Sequence, residues 1–222
     1  MKIISVIFVF YLSFWGCQSK NDVSEFNGWT SHNLNGKVKE ITIKSYKIDS
    51  LNGKPISKKQ YGFYDYYQFS PSGDELLYNI IDENDAVRYT GTPIYTDGKI
   101  TGSTIIHVQE KITEKWVIKK YLLGFYGGEM ECYIDGKPVK KVINTINKRG
   151  HQTSMKVFSG DKLIYEKNFE YDTHENLIKT IENGTKITMF TYIKFDTKNN
   201  WIKRRAVTDD EVLVNERSIM YY

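Results

Sequence analysis

The chain is 222 residues long and carries 31 Lys and Arg against 27 Asp and Glu, a formal net charge of +4. Its basic residues come in pairs such as Lys58-Lys59, Lys119-Lys120 and Lys140-Lys141, interleaved with acids, which excludes a polybasic nucleic-acid module. Two cysteines exclude a disulfide framework, so the core must hold the fold together.

The first element is a leader. Lys2 is a short basic n-region, and residues 3–14 form an uncharged apolar run. About a dozen residues cannot cross a hydrocarbon core that needs roughly 20 in a helix, but they suit a signal peptide. The run ends at small Gly16, followed at once by Cys17. This junction resembles the lipobox of bacterial lipoproteins, with Phe14 and Trp15 departing from its usual residues. The resemblance implies a signal peptide over residues 1–16 and lipid attachment at Cys17, which would carry diacylglycerol and palmitate-type acyl chains. It also implies a cell-envelope location, at the outer membrane of a Gram-negative bacterium. An ordinary secretory signal and a retained anchor are the alternative readings. The stretch Gln18-Ser19-Lys20-Asn21-Asp22 resembles a lysine-plus-acidic sorting tag, although any polar tether looks much the same. With Cys17 lipidated, Cys132 has no partner for an intramolecular disulfide.

Residues 17–31 read as the lipidated N-terminus and a flexible tether, and 32–222 as one all-β domain. From Leu34 onward, short alternating runs are separated by turn dipeptides. Asn35-Gly36, Asn52-Gly53, Asp97-Gly98, Asp135-Gly136 and Asn183-Gly184 are type I′ hairpin signals. Ser72-Gly73, Gly127-Gly128 and Ser159-Gly160 add weaker turns, and Pro55, Pro71, Pro93 and Pro138 fall beside these breaks. Between the turns the period is 2. In residues 163–171 one face reads Leu163, Tyr165, Lys167, Phe169, Tyr171 and the other Ile164, Glu166, Asn168, Glu170. Such alternation predicts sheets with one face drier than the other.

The runs repeat. Asn52-Gly53-Lys54-Pro55-Ile56 is echoed by Asp135-Gly136-Lys137-Pro138-Val139, and Tyr171-Asp172-Thr173-His174-Glu175-Asn176-Leu177 by Phe195-Asp196-Thr197-Lys198-Asn199-Asn200-Trp201. Looser copies of the second phrase begin at Phe69, Tyr95 and Ile146. The spacing, about 25 residues with one degenerate unit between 95 and 146, fits one hairpin per unit. The aromatic-Asp phrase resembles the YD repeats of Rhs-type surface proteins, and the Gly-Lys phrases resemble MORN-like bacterial hairpin repeats. The whole is similar to repeat lipoproteins of Gram-negative bacteria. The expected fold is therefore all-β: successive antiparallel β-hairpins forming a curved open sheet or a partly closed barrel. A transmembrane barrel is disfavoured, because short charge-bearing strands supply no continuous apolar outer band.

No motif announces chemistry. His32, His107, His151 and His174 are scattered, and His174-Glu175 lacks a second histidine at the spacing of a zinc helix. Asp82-Glu83-Asn84-Asp85 lacks the glycine and distal glutamate of a calcium loop. Cys132 sits in an alternating run and reads as a buried structural cysteine. No catalytic residue, metal or cofactor is expected, and no carboxylate pair stands out. The run from Tyr61 to Phe69 places rings on both faces of one strand: Tyr61, Phe63, Tyr67 and Phe69 on one, Tyr64 and Tyr66 on the other. Either both faces are covered, or Tyr64 and Tyr66 form an aromatic face for a glycan or protein partner. The leading expectation is a non-enzymatic envelope lipoprotein that presents a β-repeat surface for binding or assembly and meets the membrane only through its lipid. The alternatives are a toxin-neutralising or inhibitor lipoprotein and an exported glycan-processing hydrolase.

Overall fold

The computed structural model describes residues 28–51, 54–122, 125–147, 151–174, 176–209 and 211–222. The leader, Cys17 and the Asn52-Gly53 turn lie outside them. A one-turn helix, α1 (Gly28–Ser31), precedes β1 (Val38–Leu51), β2 (Lys54–Gln60), β3 (Tyr64–Phe69) and β4 (Glu75–Ile81). Next come β5 (Val87–Thr96), β6 (Lys99–His107), β7 (Ile112–Leu122), β8 (Phe125–Ile134) and β9 (Lys137–Ile146). The chain ends with β10 (Gln152–Ser159), β11 (Lys162–Tyr171), β12 (Leu177–Glu182), β13 (Lys186–Phe195), β14 (Trp201–Val207) and β15 (Val212–Tyr221).

All pairings are antiparallel, and β15 returns to β1 from Val38↔Tyr221 to Lys47↔Leu213, which closes the sheet into a barrel. β2 and β3 lie in tandem along one edge of β1, so fourteen strand positions make the ring. The single aromatic strand expected from Tyr61 to Phe69 is broken. Residues 61–63 bulge between β2 and β3, where the Tyr61 N–H bonds back to the Ser45 carbonyl at 2.8 Å. An extra pair of residues there re-aims the chain, which is what a bulge does at a barrel rim.

The barrel has two unlike ends. One carries the turns at 82–86, 108–111, 135–136, 160–161, 183–185 and 208–211 and is called the mouth. The other carries the turns at 70–74, 97–98, 172–176 and 196–200 together with α1. The repeat phrases that begin at 69, 95, 146, 171 and 195 all enter this second end, so the period of about 25 is one down-and-up hairpin. Their chemistry is shared. The Asp172 carboxylate accepts the His174 and Asn176 N–H groups at 2.8 Å, and Asp196 accepts those of Lys198 and Asn200 at 2.9 and 2.8 Å. The Gly-Lys phrases behave differently: Asp97-Gly98 turns at the closed end and Asp135-Gly136 at the mouth, each with both residues at positive φ.

Three local expectations are corrected. Asn35-Gly36 makes no hairpin, because α1 rather than a strand precedes it; Asn35 instead pairs with Asn200, giving its N–H to Oδ1 at 2.7 Å. Gly127-Gly128 lies inside β8. Pro93 lies inside β5 and not beside a break, at a point where pairing with β4 has already stopped at Tyr78↔Gly91. Residues 28 and 29, expected within the tether, pack against the barrel. Trp29 Nε1 donates to the Val38 carbonyl at 2.6 Å, and Gly28 is buried so closely that a Cβ would sit 2.8 Å from Phe69 Cδ1.

Alternation decides the two faces. Inward go Ile41, Tyr67, Phe69, Trp116, Met130, Cys132, Val157 and Tyr165, all buried. Each such side chain stabilises the fold by roughly 1.5–3 kcal/mol when fully covered. Outward, cross-strand ion pairs ring the wall: Lys119–Glu131 at 3.1 Å, Lys141–Glu129 at 2.7 Å, Lys156–Glu166 at 3.5 Å, Lys179–Glu170 at 2.9 Å and Lys203–Glu216 at 3.2 Å. An apolar stripe on β13 (Ile187, Met189, Ile193) interrupts them. Leu76, Ile106, Leu163 and Met220 are exposed as well, and the ion pairs break these apolar residues up, whereas a lipid-facing wall requires a continuous apolar band. Among the described residues no helix is long and apolar enough to cross a membrane.

Candidate functional site

The closed end is sealed from inside. His32, just after α1, lies 1% exposed with Nε2 3.0 Å from Glu75 Oε2, its ring 4.3 Å from that of Tyr67 and 5.5 Å from that of Phe69. The chain terminus adds a second seal. Asn200 Nδ2 donates to the Tyr221 hydroxyl at 2.6 Å, Tyr221 donates to Asp196, and the Tyr222 hydroxyl reaches the Phe69 carbonyl at 2.6 Å. Burial opposes the charge on Asp196, yet bonds from Tyr221, Asn200 and Lys198 hold its carboxyl below the ordinary range.

Tyr67 is the floor between that seal and a cavity of about 450 Å³ that opens at the mouth. This volume lies within the roughly 300–1,000 Å³ of small-molecule sites. Tyr78, stacked on Tyr67 with centroids 6.0 Å apart, and Ile105 complete the floor. Ile43, Ile80, Tyr89, Phe190 and Leu213 form the walls. Tyr61 and Phe63, 42% and 48% exposed, stand at the rim, where the bulge at 61–63 has placed them. Tyr61 reaches across the mouth to Glu211 Oε1 at 3.1 Å.

Charge is distributed unevenly around this cavity. On β14 and β15, Arg204 and Arg217 both bear on the Trp201 ring, at 4.5 and 3.8 Å from its centroid, and Arg204 also lies 4.6 Å from that of Phe190. Arg217 is 5% exposed, and its Nε and Nη1 have no hydrogen-bond acceptor among the described residues. Burial, with Arg204 beside it, brings its guanidinium down to about 9, so it is still charged at neutral pH. Half-way round the ring, Glu114 on β7 takes hydrogen bonds from Trp116 Nε1 at 3.0 Å and Lys140 at 3.3 Å, with His107 Nε2 at 3.3 Å. Glu182 is held by buried Lys167 at 2.8 Å. Among the described residues Asp65 has neither kind of partner; burial pushes its carboxyl up to about 7, against a smaller pull from Arg204.

The two tyrosines expected to form an aromatic face lie elsewhere. Tyr64 and Tyr66 are on the outer face of β3, both half-buried. The Tyr64 hydroxyl donates to Asp85 Oδ1 at 2.8 Å and its ring lies under Lys44 Nζ at 4.1 Å. Their surroundings are polar, while Tyr67 and Phe69 face the core. Cys132 is fully buried beside Glu114, and burial pushes its thiol up to about 12, so it is inert. Asp82 caps its own turn through the Asn84 and Ala86 N–H groups and pairs with Arg88. No cluster of His, Cys, Asp or Glu among the described residues could hold a metal. Sequence reasoning missed Asp65, Arg204 and Arg217. The signal for Asp65 was a charge in phase with Tyr61, Phe63, Tyr67 and Phe69; for Arg217 it was an arginine in phase with Leu213 and Ile219.

The architecture has solved counterparts. A porin-like protein from Bacteroides uniformis is similar over 84% of this chain and 98% of its own, at 11% identity and a TM-score of 0.52. A porin-like protein from Bacteroides vulgatus matches over 83% and 98%, at 12% identity and a TM-score of 0.43. A DUF1329 family protein from Desulfovibrio piger matches over 83% and 86%, at 12% identity and a TM-score of 0.31. The fold likeness rests on the first of these. No family model matches the chain, and no curated protein matches it in sequence.

Proposed function

We propose that this chain is a non-enzymatic binding protein of the bacterial cell envelope, anchored through lipid on Cys17 at the outer membrane, that holds a small molecule in the barrel mouth. The observation that carries the reading is the polarity of the barrel: an outer wall ringed by ion pairs, one end sealed by α1, and a cavity of about 450 Å³ at the other. Gly28 lies at the sealed end, so the segment that carries Cys17 joins the barrel there and not at the mouth. The non-enzymatic part is supported by the carboxylates that line the cavity. Glu114, Glu182 and Glu211 are engaged by Lys140, Lys167 and Tyr61, which among the described lining residues leaves one unengaged carboxylate, Asp65, rather than a pair. The repeated aromatic-Asp phrases build turns at the sealed end, which supports a division of labour: repeats make the wall, and the mouth binds.

Two measurements test it. Metabolic labelling with a palmitate analogue should mark the wild-type protein and lose the mark in Cys17→Ala, with release from the membrane fraction; unchanged labelling or fractionation refutes the anchor. Native mass spectrometry of the protein from its own envelope should show a bound small molecule that is lost when Ile80→Trp fills the cavity. An empty barrel in both proteins counts against binding.

A further inference from the structure

We infer that the mouth cavity takes an amphipathic carboxylate, its head group on Arg217 and Arg204 and its apolar body along the aromatic and aliphatic wall. The inference deepens the binding reading above and rests on it.

The argument begins with what Trp201 can and cannot supply. Its ring accepts the faces of two guanidinium groups, 3.8 Å from Arg217 and 4.5 Å from Arg204. A π face offers nothing to the N–H edge of a guanidinium, which carries five donors and needs oxygen acceptors. Arg204 satisfies one donor, Nε, on Asn215 Oδ1 at 3.1 Å, and Asn215 is itself fixed by donating to Ser45 Oγ at 2.8 Å. Arg217 lies in the cavity wall, 5% exposed, with Nε and Nη1 lacking any acceptor among the described residues. A buried charged donor left in this way is costly, and two cations sharing one ring repel each other. An anion arriving through the mouth removes both penalties together.

The remaining surface defines the rest of the ligand. Phe190, Ile80 and Leu213 line the same cavity and suit an apolar body. Asp65 stands in the same wall and disfavours a second negative charge, so one acidic group is the fit. Carboxylate matches the guanidinium as a planar acceptor pair.

The test uses the full chain carrying Cys17→Ser, titrated by calorimetry with octanoate, octanol and octylamine, which share a body and differ in head group. Octanoate is expected to bind at least tenfold more tightly than octanol, with octylamine weakest. Arg217→Met should bring octanoate to the octanol level and leave octanol unchanged, while Arg217→Lys retains part of the preference. Equal binding of octanoate and octanol by the unsubstituted cavity overturns the inference and leaves the binding reading standing, and it requires no variant to fold. A preference that survives Arg217→Met, with unchanged circular dichroism, overturns it as well. Failure of all three compounds to bind overturns the binding reading and this inference together.

Discussion

Arg217 holds its guanidinium carbon 3.8 Å over the ring of Trp201, across the β14–β15 pair, with no acidic residue bonded to it among the described residues. The arrangement separates stability from function. Replacing a buried charge by an apolar side chain of similar volume is often stabilising, by about 1–4 kcal/mol. Arg217→Met is therefore expected to raise the urea midpoint of the ligand-free protein with the slope unchanged. A lowered midpoint would show that Arg217 supports the barrel itself.

Asp65 makes a pH prediction. Burial raises its carboxyl from 3.8 to about 7 in the fold. Between those values the native state binds more protons than the unfolded chain, so this group makes stability fall as pH rises, levelling off above about 7. At about 1.4 kcal/mol per unit, the loss across the window is on the order of 4 kcal/mol at most. Asp65→Asn should abolish it. Urea midpoints at about pH 5 and pH 8 should differ less in the variant, which gains most at the higher pH. Parallel lines for the two proteins would mean that Asp65 is ordinarily solvated.

These two residues also show where sequence reading stops. The wall was legible, because alternation over 163–171 put Tyr165 and Lys167 inside and Glu166 and Glu170 outside, where they now pair with Lys156 and Lys179. The hairpin period was legible too, since the Asp172 and Asp196 turns repeat their hydrogen bonds. Closure was legible only as one of two outcomes, a partly closed barrel or a curved open sheet, because the choice rests on β15 meeting β1 across most of the chain and alternation says nothing about distant partners. The site followed closure. Trp201 was visible only as the counterpart of Leu177 in a repeat phrase, and its two arginines meet it only once β13, β14 and β15 are side by side.

Gly91 marks another position that the sequence left silent. A Cβ there would lie 1.8 Å from Tyr78 Cε1, because the Tyr78 ring crosses the strand pair and rests on the bare backbone. Gly91→Ala should displace that ring into the cavity, costing about 1–3 kcal/mol as overpacking does. Tyr78→Leu in the same chain should restore part of the loss, and a double-mutant cycle in urea measures the coupling. Additive effects would mean that the ring is not held by the glycine.

The sealed end yields the last prediction. Tyr221 donates to Asp196 and accepts from Asn200 Nδ2 at 2.6 Å, and Asn200 takes the Asn35 N–H at 2.7 Å, so one hydroxyl links β15, the β13–β14 turn and the segment after α1. Tyr221→Phe removes that hydroxyl and leaves partners behind, at about 1–3 kcal/mol. The Asp196 carboxyl is held below its ordinary 3.8, so its contribution is present above that value and is lost as acid takes the pH down through the folded one. The difference in urea midpoint between wild type and Tyr221→Phe should accordingly be full at about pH 6 and shrink toward about pH 3. A difference that stays constant would mean that the bond does not depend on the charge of Asp196, and that the seal is held by packing of His32, Phe69 and Leu34 alone.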